Sequence, residues 1–223
     1  MSFSATDHDG ARVWPAFTDV LMTVCLILVF YLFAQVVISS QTSAAMTMVA
    51  QHQRDLSQAV KQALPPHLRR DVGIAEDGSL QRYTFADWIL FDSASAELKP
   101  SGMEALAALG RVFGQHAGEF TRIQIEGHTD DQPLRPGARF PSNWELSSAR
   151  ATSVVRFFED QSRLDPTLLS ATGYSEYQPA VREDSEQARA RNRRIEVVVV
   201  YSVSAVEQAS KKEHAPAAAG EGL

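Results

Sequence analysis

The sequence predicts an α/β protein: a single transmembrane helix near the N-terminus, followed by a C-terminal α/β sandwich. Two observations carry this. The stretch Val20–Ile38 holds no charge and is interrupted only by Thr23 and Gln35. Beyond Arg70, strand-like runs alternate with helical patterns, which builds one sheet with helices on one face.

The apolar run is about 19 residues long and spans roughly 28 Å at about 1.5 Å per residue, close to a bilayer core. Trp14 precedes it, where an aromatic ring favours the headgroup level. Both faces are apolar, which argues against a core helix of a soluble protein. A cleaved signal peptide is the competing reading, since Ser43-Ala44-Ala45 imitates a cleavage site. Against it, the run is long for a signal peptide and the segment before it is not basic, Asp7 and Asp9 outweighing Arg12. Arg12 before the span, with nothing basic after it until Arg54, fits an N-in orientation. Asp19 sits at the lip of the run. A carboxylate partly withdrawn from water takes up a proton more readily, which makes Asp19 a candidate proton-binding residue. The plainer alternative is an interfacial carboxylate that ends or caps the helix beside Thr18 and Pro15.

Residues 1–13 read as a short cytoplasmic tail, 14–39 as the span, 40–66 as a linker helix and possible plug, 70–203 as the folded domain and 204–223 as a disordered tail. In the linker, Ala45, Val49, His52, Leu56, Ala59 and Ala63 recur at three- and four-residue steps. That stripe suits pairing with a second copy, and equally a solvated single helix. Pro65-Pro66 ends it. In the domain, Val72–Ala75 and Leu80–Phe85 flank the hairpin signal Asp77-Gly78. Trp88–Phe91 reads as a short strand. Pro100 opens a helix to Gln115 whose apolar face carries Met103, Leu106, Leu109, Val112 and Phe113. A strand through Ile123 and Ile125 ends at Gly127. A Pro-, Gly- and Arg-rich loop (131–142) leads to a helix over 143–161, then strands at Leu168–Tyr174 and Ile195–Val200.

The net charge of −6 argues against a nucleic-acid partner. The one cysteine, Cys25, lies in the apolar run, so no intrachain disulfide or cysteine-based zinc cluster is available. The six histidines show no ligand spacing such as HExxH. No metal, cofactor or catalytic residue is expected. Glu126, His128 and Asp130 are neighbours in sequence, yet no nucleophile–base pair is evident, so the chain is not read as an enzyme.

Four elements carry a resemblance: Phe91-Asp92-Ser93 with Ala96-Glu97-Leu98-Lys99-Pro100; Gly127-His128-Thr129-Asp130; Asn143-Trp144-Glu145-Leu146-Ser147-Ser148-Ala149-Arg150-Ala151; and Asn192-Arg193-Arg194-Ile195-Glu196. Together, over roughly 80–200, they resemble the OmpA-like domain. The resemblance implies non-covalent binding of peptidoglycan through Asp130, Asn143, Leu146, Ser147 and Arg150. Asp130 would face the ammonium of a diaminopimelate stem peptide, and Arg150 its carboxylate, through charge-assisted hydrogen bonds. Asn143 falls at the expected helix N-cap. A salt bridge between Asp130 and Arg150 is the structural alternative. The enlarged loop before Asn-Trp-Glu-Leu-Ser resembles the MotB branch, as does Trp14-Pro15-Ala16-Phe17-Thr18-Asp19 with Met22-Thr23. That branch implies an inner-membrane, single-pass stator B subunit with its domain in the periplasm. It also implies Asp19 as the proton-binding group, a homodimer, membrane lipids around the span, and a ring of MotA- or ZorA-like A subunits. The slightly acidic tail and short linker resemble the Zorya anti-phage B subunit more than a flagellar MotB. A flagellar stator, and a passive wall tether without ion conduction, are the alternatives.

Overall fold

A computed structural model of the protein describes residues 10–206 and residue 208. Residues 1–9 of the expected N-terminal tail, and 207 and 209–223 of the expected C-terminal one, lie outside the described residues. The chain divides into two compact units between Ala45 and Met46. Helix α1 covers Gly10–Ala63. In the first unit it carries Phe17–Ser40, a 24-residue apolar stretch of about 36 Å, enough for a single membrane span. Leu26, Phe30 and Phe33 are exposed along it, with no protein packed over them.

The second unit is a five-stranded mixed sheet. Its strands are β1 (Val72–Asp77), β2 (Leu80–Ala86), β3 (Phe120–His128), β4 (Leu169–Gly173) and β5 (Arg194–Tyr201), in the order β1-β2-β5-β3-β4. Only β3 and β4 pair in parallel, and the crossover that a parallel pair needs is supplied by α4. The β1–β2 hairpin turns at Gly78, whose φ of 57° suits a residue without Cβ. The helices are α2 (Asp87–Leu90), α3 (Pro100–Gln115), α4 (Asn143–Asp160) and α5 (Glu186–Asn192). Pro100 at the start of α3 needs no hydrogen-bond partner there.

One face of the sheet is apolar. Tyr83, Phe85, Ile123, Ile125, Val197 and Val199 are buried with Leu106, Leu109 and Phe113 of α3 and Val154 and Phe158 of α4. Phe113 is central, 5.5 Å from Tyr83 and 5.7 Å from Phe120, edge to face. The other face is polar: Arg82, Glu126, His128, Arg194 and Glu196 meet across β2, β5 and β3.

Three expectations change. The stretch Trp88–Phe91 is not a strand; it lies in and just after the single turn α2. Burial of Ile89 and Leu90 satisfies its apolar side chains, and Asp87 N–H donates to the Arg193 carbonyl at 3.0 Å. A run of four apolar residues does not distinguish strand from helix by period. The second change concerns the linker. The unit begins at Met46, not near Arg70. Val49, Leu56, Val60 and Leu64 are buried in its core, so the stripe of the linker helix faces the chain's own sheet. Gln81 Nε2 donates to the Gln53 carbonyl at 2.8 Å and to Ser57 Oγ at 2.6 Å, and Gln81 Oε1 accepts from Tyr201 at 2.7 Å. Third, Val206, within the expected tail, is buried against the same core.

Candidate functional site

The C-terminal end of β3 delivers Thr129 and Asp130 to one end of the sheet, and α4 begins beside them. Gly127 makes this approach possible, because a Cβ there would collide with the Ser147 carbonyl of α4. Ser142, not Asn143, is the N-cap of α4: its Oγ accepts from Trp144 N–H at 3.1 Å and also bonds Glu145. Ser142-x-x-Glu145 is a capping box, legible in the sequence. Asn143 is thereby freed for another task. Its Nδ2 donates to the carbonyls of Asp130 (3.3 Å) and Gln132 (3.0 Å) and to Glu176 Oε2 (3.0 Å), tying the loop to the helix.

These residues border a groove of about 1130 Å³. Asp87, Phe91 and Arg150 lie along one part of it, Asp130 and Arg193 along another, and Pro133, Leu134 and Arg135 of the enlarged loop form a wall. Asp130 and Arg150 do not pair with each other. Arg150 Nη1 meets Asp87 Oδ1 at 2.9 Å, and Arg193 Nη1 meets Asp130 Oδ2 at 2.5 Å. Arg150 also donates to the carbonyls of Ser95 (2.8 Å) and Asp92 (3.4 Å), with its guanidinium 5.2 Å from the Phe91 ring centre. Burial pushes the Asp87 carboxyl above its ordinary value, and the Arg150 and Arg193 charges only partly offset this. Burial likewise draws Arg150 down against the pull of Asp87. For Arg193 burial acts downward too, but hydrogen bonds to Asp130 and Glu186 outweigh it and leave the guanidinium above its ordinary value. The groove is therefore bordered by two acid–guanidinium pairs, Asp87–Arg150 and Asp130–Arg193, groups suited to a ligand carrying both an ammonium and a carboxylate.

Residues 90–193, which hold every loop around this groove, match the OmpA family. Over that stretch the domain is similar to the OmpA family. Motility protein B of Bacillus subtilis (strain 168) is 32% identical over 117 residues, 52% of this chain and 44% of the relative. Among solved structures, a MotB-like protein from Desulfovibrio vulgaris superposes with a TM-score of 0.65 at 29% identity, covering 71% of this chain and 99% of that one. The cell wall anchor of the type VI secretion system from Pseudomonas aeruginosa follows with a TM-score of 0.56 at 26% identity, covering 64% and 97%. The chain spans about half the length of the curated relatives it matches.

Of the sequence-derived site residues in the OmpA-like domain, Asp130, Asn143, Leu146 and Arg150 come together at the groove. Ser147 lies behind it, fully buried, its Oγ donating to the Trp144 carbonyl (3.1 Å) and accepting from Ser175 N–H (3.1 Å). Asp19 belongs to the first unit; it is exposed on α1, and its carbonyl accepts from Thr23 Oγ1 at 2.9 Å. Sequence reasoning missed Asp87 and Arg193. Arg193 stood within the quoted closing motif without a role; Asp87 carried no signal, because it precedes the run misread as a strand. One donor set also escaped it: Glu126, His128 and Glu196 lie within 4.8 Å of one another on the polar face. Glu196 is already engaged by Arg82 and Arg194. A cation there would have to displace two guanidiniums, so the set works as an internal ion-pair network.

Proposed function

We propose that the chain is the B subunit of a proton-driven, stator-like motor in the inner membrane, anchored to peptidoglycan by its periplasmic OmpA-like domain. The observation that carries this is the groove bordered by the Asp87–Arg150 and Asp130–Arg193 pairs, set in a domain similar to a motility protein B and to a cell wall anchor. The proposed ligand is the diaminopimelate end of a stem peptide, with Asp130 near its ammonium, guanidiniums near its carboxylate, and Asn143, Leu146 and Ser147 holding the groove in shape. The apolar stretch Phe17–Ser40 provides the single span. Asp19 is its proton-binding group. A membrane potential supplies about 2.3 kcal/mol per charge per 100 mV, so a carboxylate titrating part-way into the field couples proton entry to movement. Two copies of the chain would sit in a ring of MotA- or ZorA-like subunits.

A Zorya-type defence motor is the specific assignment, supported by the short stretch between Ser40 and the start of the folded unit at Met46. A flagellar stator is the second reading, favoured by the likeness to motility protein B. A passive tether is the third. Asp19→Asn separates motor from tether: insertion and wall binding stay intact while phage protection or motility falls to the level of a deletion. Undiminished protection and motility in this variant would leave only the tether. Co-sedimentation with purified peptidoglycan tests the anchor, and Asp130→Ala is expected to lose it.

A further inference from the structure

Two polar side chains face outward from the interior of the apolar span. Tyr31 and Gln35 are one helical turn apart on α1, and Gln35 Nε2 donates to the Tyr31 hydroxyl at 3.2 Å. Gln35 lies five residues inside Ser40 and Tyr31 nine, about 7.5 and 13.5 Å along the axis. Both therefore sit at hydrocarbon depth, where no water meets a polar group. A carboxamide carries two N–H donors and an acceptor oxygen, and a phenol that accepts still has its own O–H to give. The bond to Tyr31 uses one N–H of Gln35. The other N–H, the Gln35 oxygen and the Tyr31 O–H find no partner among the described residues. Leaving them bare in lipid is strongly unfavourable. The sequence around them has a matching period. Leu21, Val24, Leu28, Tyr31, Gln35 and Ile38 follow three- and four-residue steps, a heptad seam with Gln35 at an a position. All of its apolar members are exposed on α1. Asp19 is off this seam, roughly 160° around the helix from Gln35 and 180° from Leu28.

We propose that this seam receives the span of a second copy of the chain, parallel and in register, and that the two Gln35 amides lock the pair. Resting on the two-copy reading above, this deepens it by naming the contact and the face. A carboxamide is self-complementary. Across a two-fold axis each Gln35 donates its remaining N–H to the other's oxygen, which a lipid tail cannot do. The seam's apolar residues supply packing at a shallow crossing angle, as in a coiled coil. They do not fix the register, because lipid is as apolar as leucine. The single polar a position does, since any slip of one helix against the other parts the amides. Pairing on this face turns both Asp19 carboxyls away from the two-fold axis, toward whatever surrounds the pair.

The test is disulfide formation by the full chain in bacterial membranes, with Cys25→Ala as background and one new cysteine at a time. Leu28→Cys lies on the seam; Leu26→Cys and Phe30→Cys lie on the side of Asp19. Crosslinking is expected to be strong at Leu28→Cys and weak at the other two. Gln35→Leu keeps the span apolar and removes the amide. Added to Leu28→Cys, it is expected to lower the crosslink about three- to tenfold, the scale of an interhelical hydrogen bond in a membrane. Gln35→Asn, which restores a carboxamide, should recover part of it. An undiminished crosslink in Gln35→Leu overturns the lock and assigns the amide to a headgroup or to another subunit. Crosslinks centred on Leu26→Cys and Phe30→Cys overturn the seam. If two differently tagged copies fail to co-purify from the same membranes, the two-copy reading itself falls, a distinguishable result.

Discussion

Arg150 and Asp87 form a buried pair in which both members are drawn toward neutrality by burial and held charged by each other. Removing one partner is therefore more harmful than removing both. Arg150→Ala is expected to lower unfolding free energy by about 3–5 kcal/mol, and adding Asp87→Asn should restore part of it; urea unfolding of the single and double variants measures this. On the polar face, Glu196 experiences an upward push from burial, but the hydrogen bond and charge of Arg194, with Arg82, hold it below the ordinary glutamate value of 4.5. Glu119 is similarly held low: burial acts upward, and His116 and His52 outweigh it. For both, the folded state binds fewer protons than the unfolded chain in that window. Their contribution is present above about pH 4.5 and is lost as pH falls through the folded values. Asp87, raised by burial, has the opposite sign: its contribution declines as pH rises above 3.8. Unfolding midpoints followed downward from pH 5 should fall, and fall less steeply in Glu196→Gln. The motifs gave the addresses of Asp130, Asn143, Leu146 and Arg150 but not their ionic partners. Arg193 lies 63 positions from Asp130, and only the β3–β5 register, His128 opposite Arg194, brings them together.

Elements with a strong period and a punctuated end were legible in the sequence: the hairpin around Gly78, α3 behind Pro100, α4, and the β-branched β5. The four-residue α2 and the seven-residue α5 were not, because each is shorter than two helical turns and gives no readable period. The second half of α1 is the instructive case. Its stripe was visible, but an Ala-rich stripe does not say what covers it. The structure supplies a sheet, with Leu56 and Val60 fully buried. Leu56→Ala should accordingly cost about 2–5 kcal/mol, as in a core and unlike a solvated linker. A change within about 0.5 kcal/mol in the unfolding of the second unit would mean the helix is dispensable to it.

For the whole molecule, the proposed wall anchoring rests on charges at a surface groove, and that proposal makes it depend on ionic strength. Binding of the full chain to purified peptidoglycan should weaken progressively between low salt and about 0.5 M salt, as the screening length shrinks below about 10 Å. Salt-independent sedimentation would point to apolar contacts with the loop wall instead. The overall plan, an apolar span followed by a mixed sheet under helices, was readable from composition and period alone. The boundary of the folded unit was not, because α1 continues without a break from Phe17 past Met46, and no Pro, Gly or cap marks where packing begins.

The amide of Gln81 gives the docked half of α1 a key as well as a seat. Leu56 and Val60 would tolerate sliding along an oily surface, but the buried amide does not. Displacing the helix by half a turn, about 2.7 Å, would carry the Gln53 carbonyl and Ser57 hydroxyl out of reach and strand a donor in the core, and a full turn would return a carbonyl to the amide but not the hydroxyl. Intermediate registers are thereby excluded. The helix engages in one notch or comes off altogether, so any motion it undergoes is a click rather than a drift.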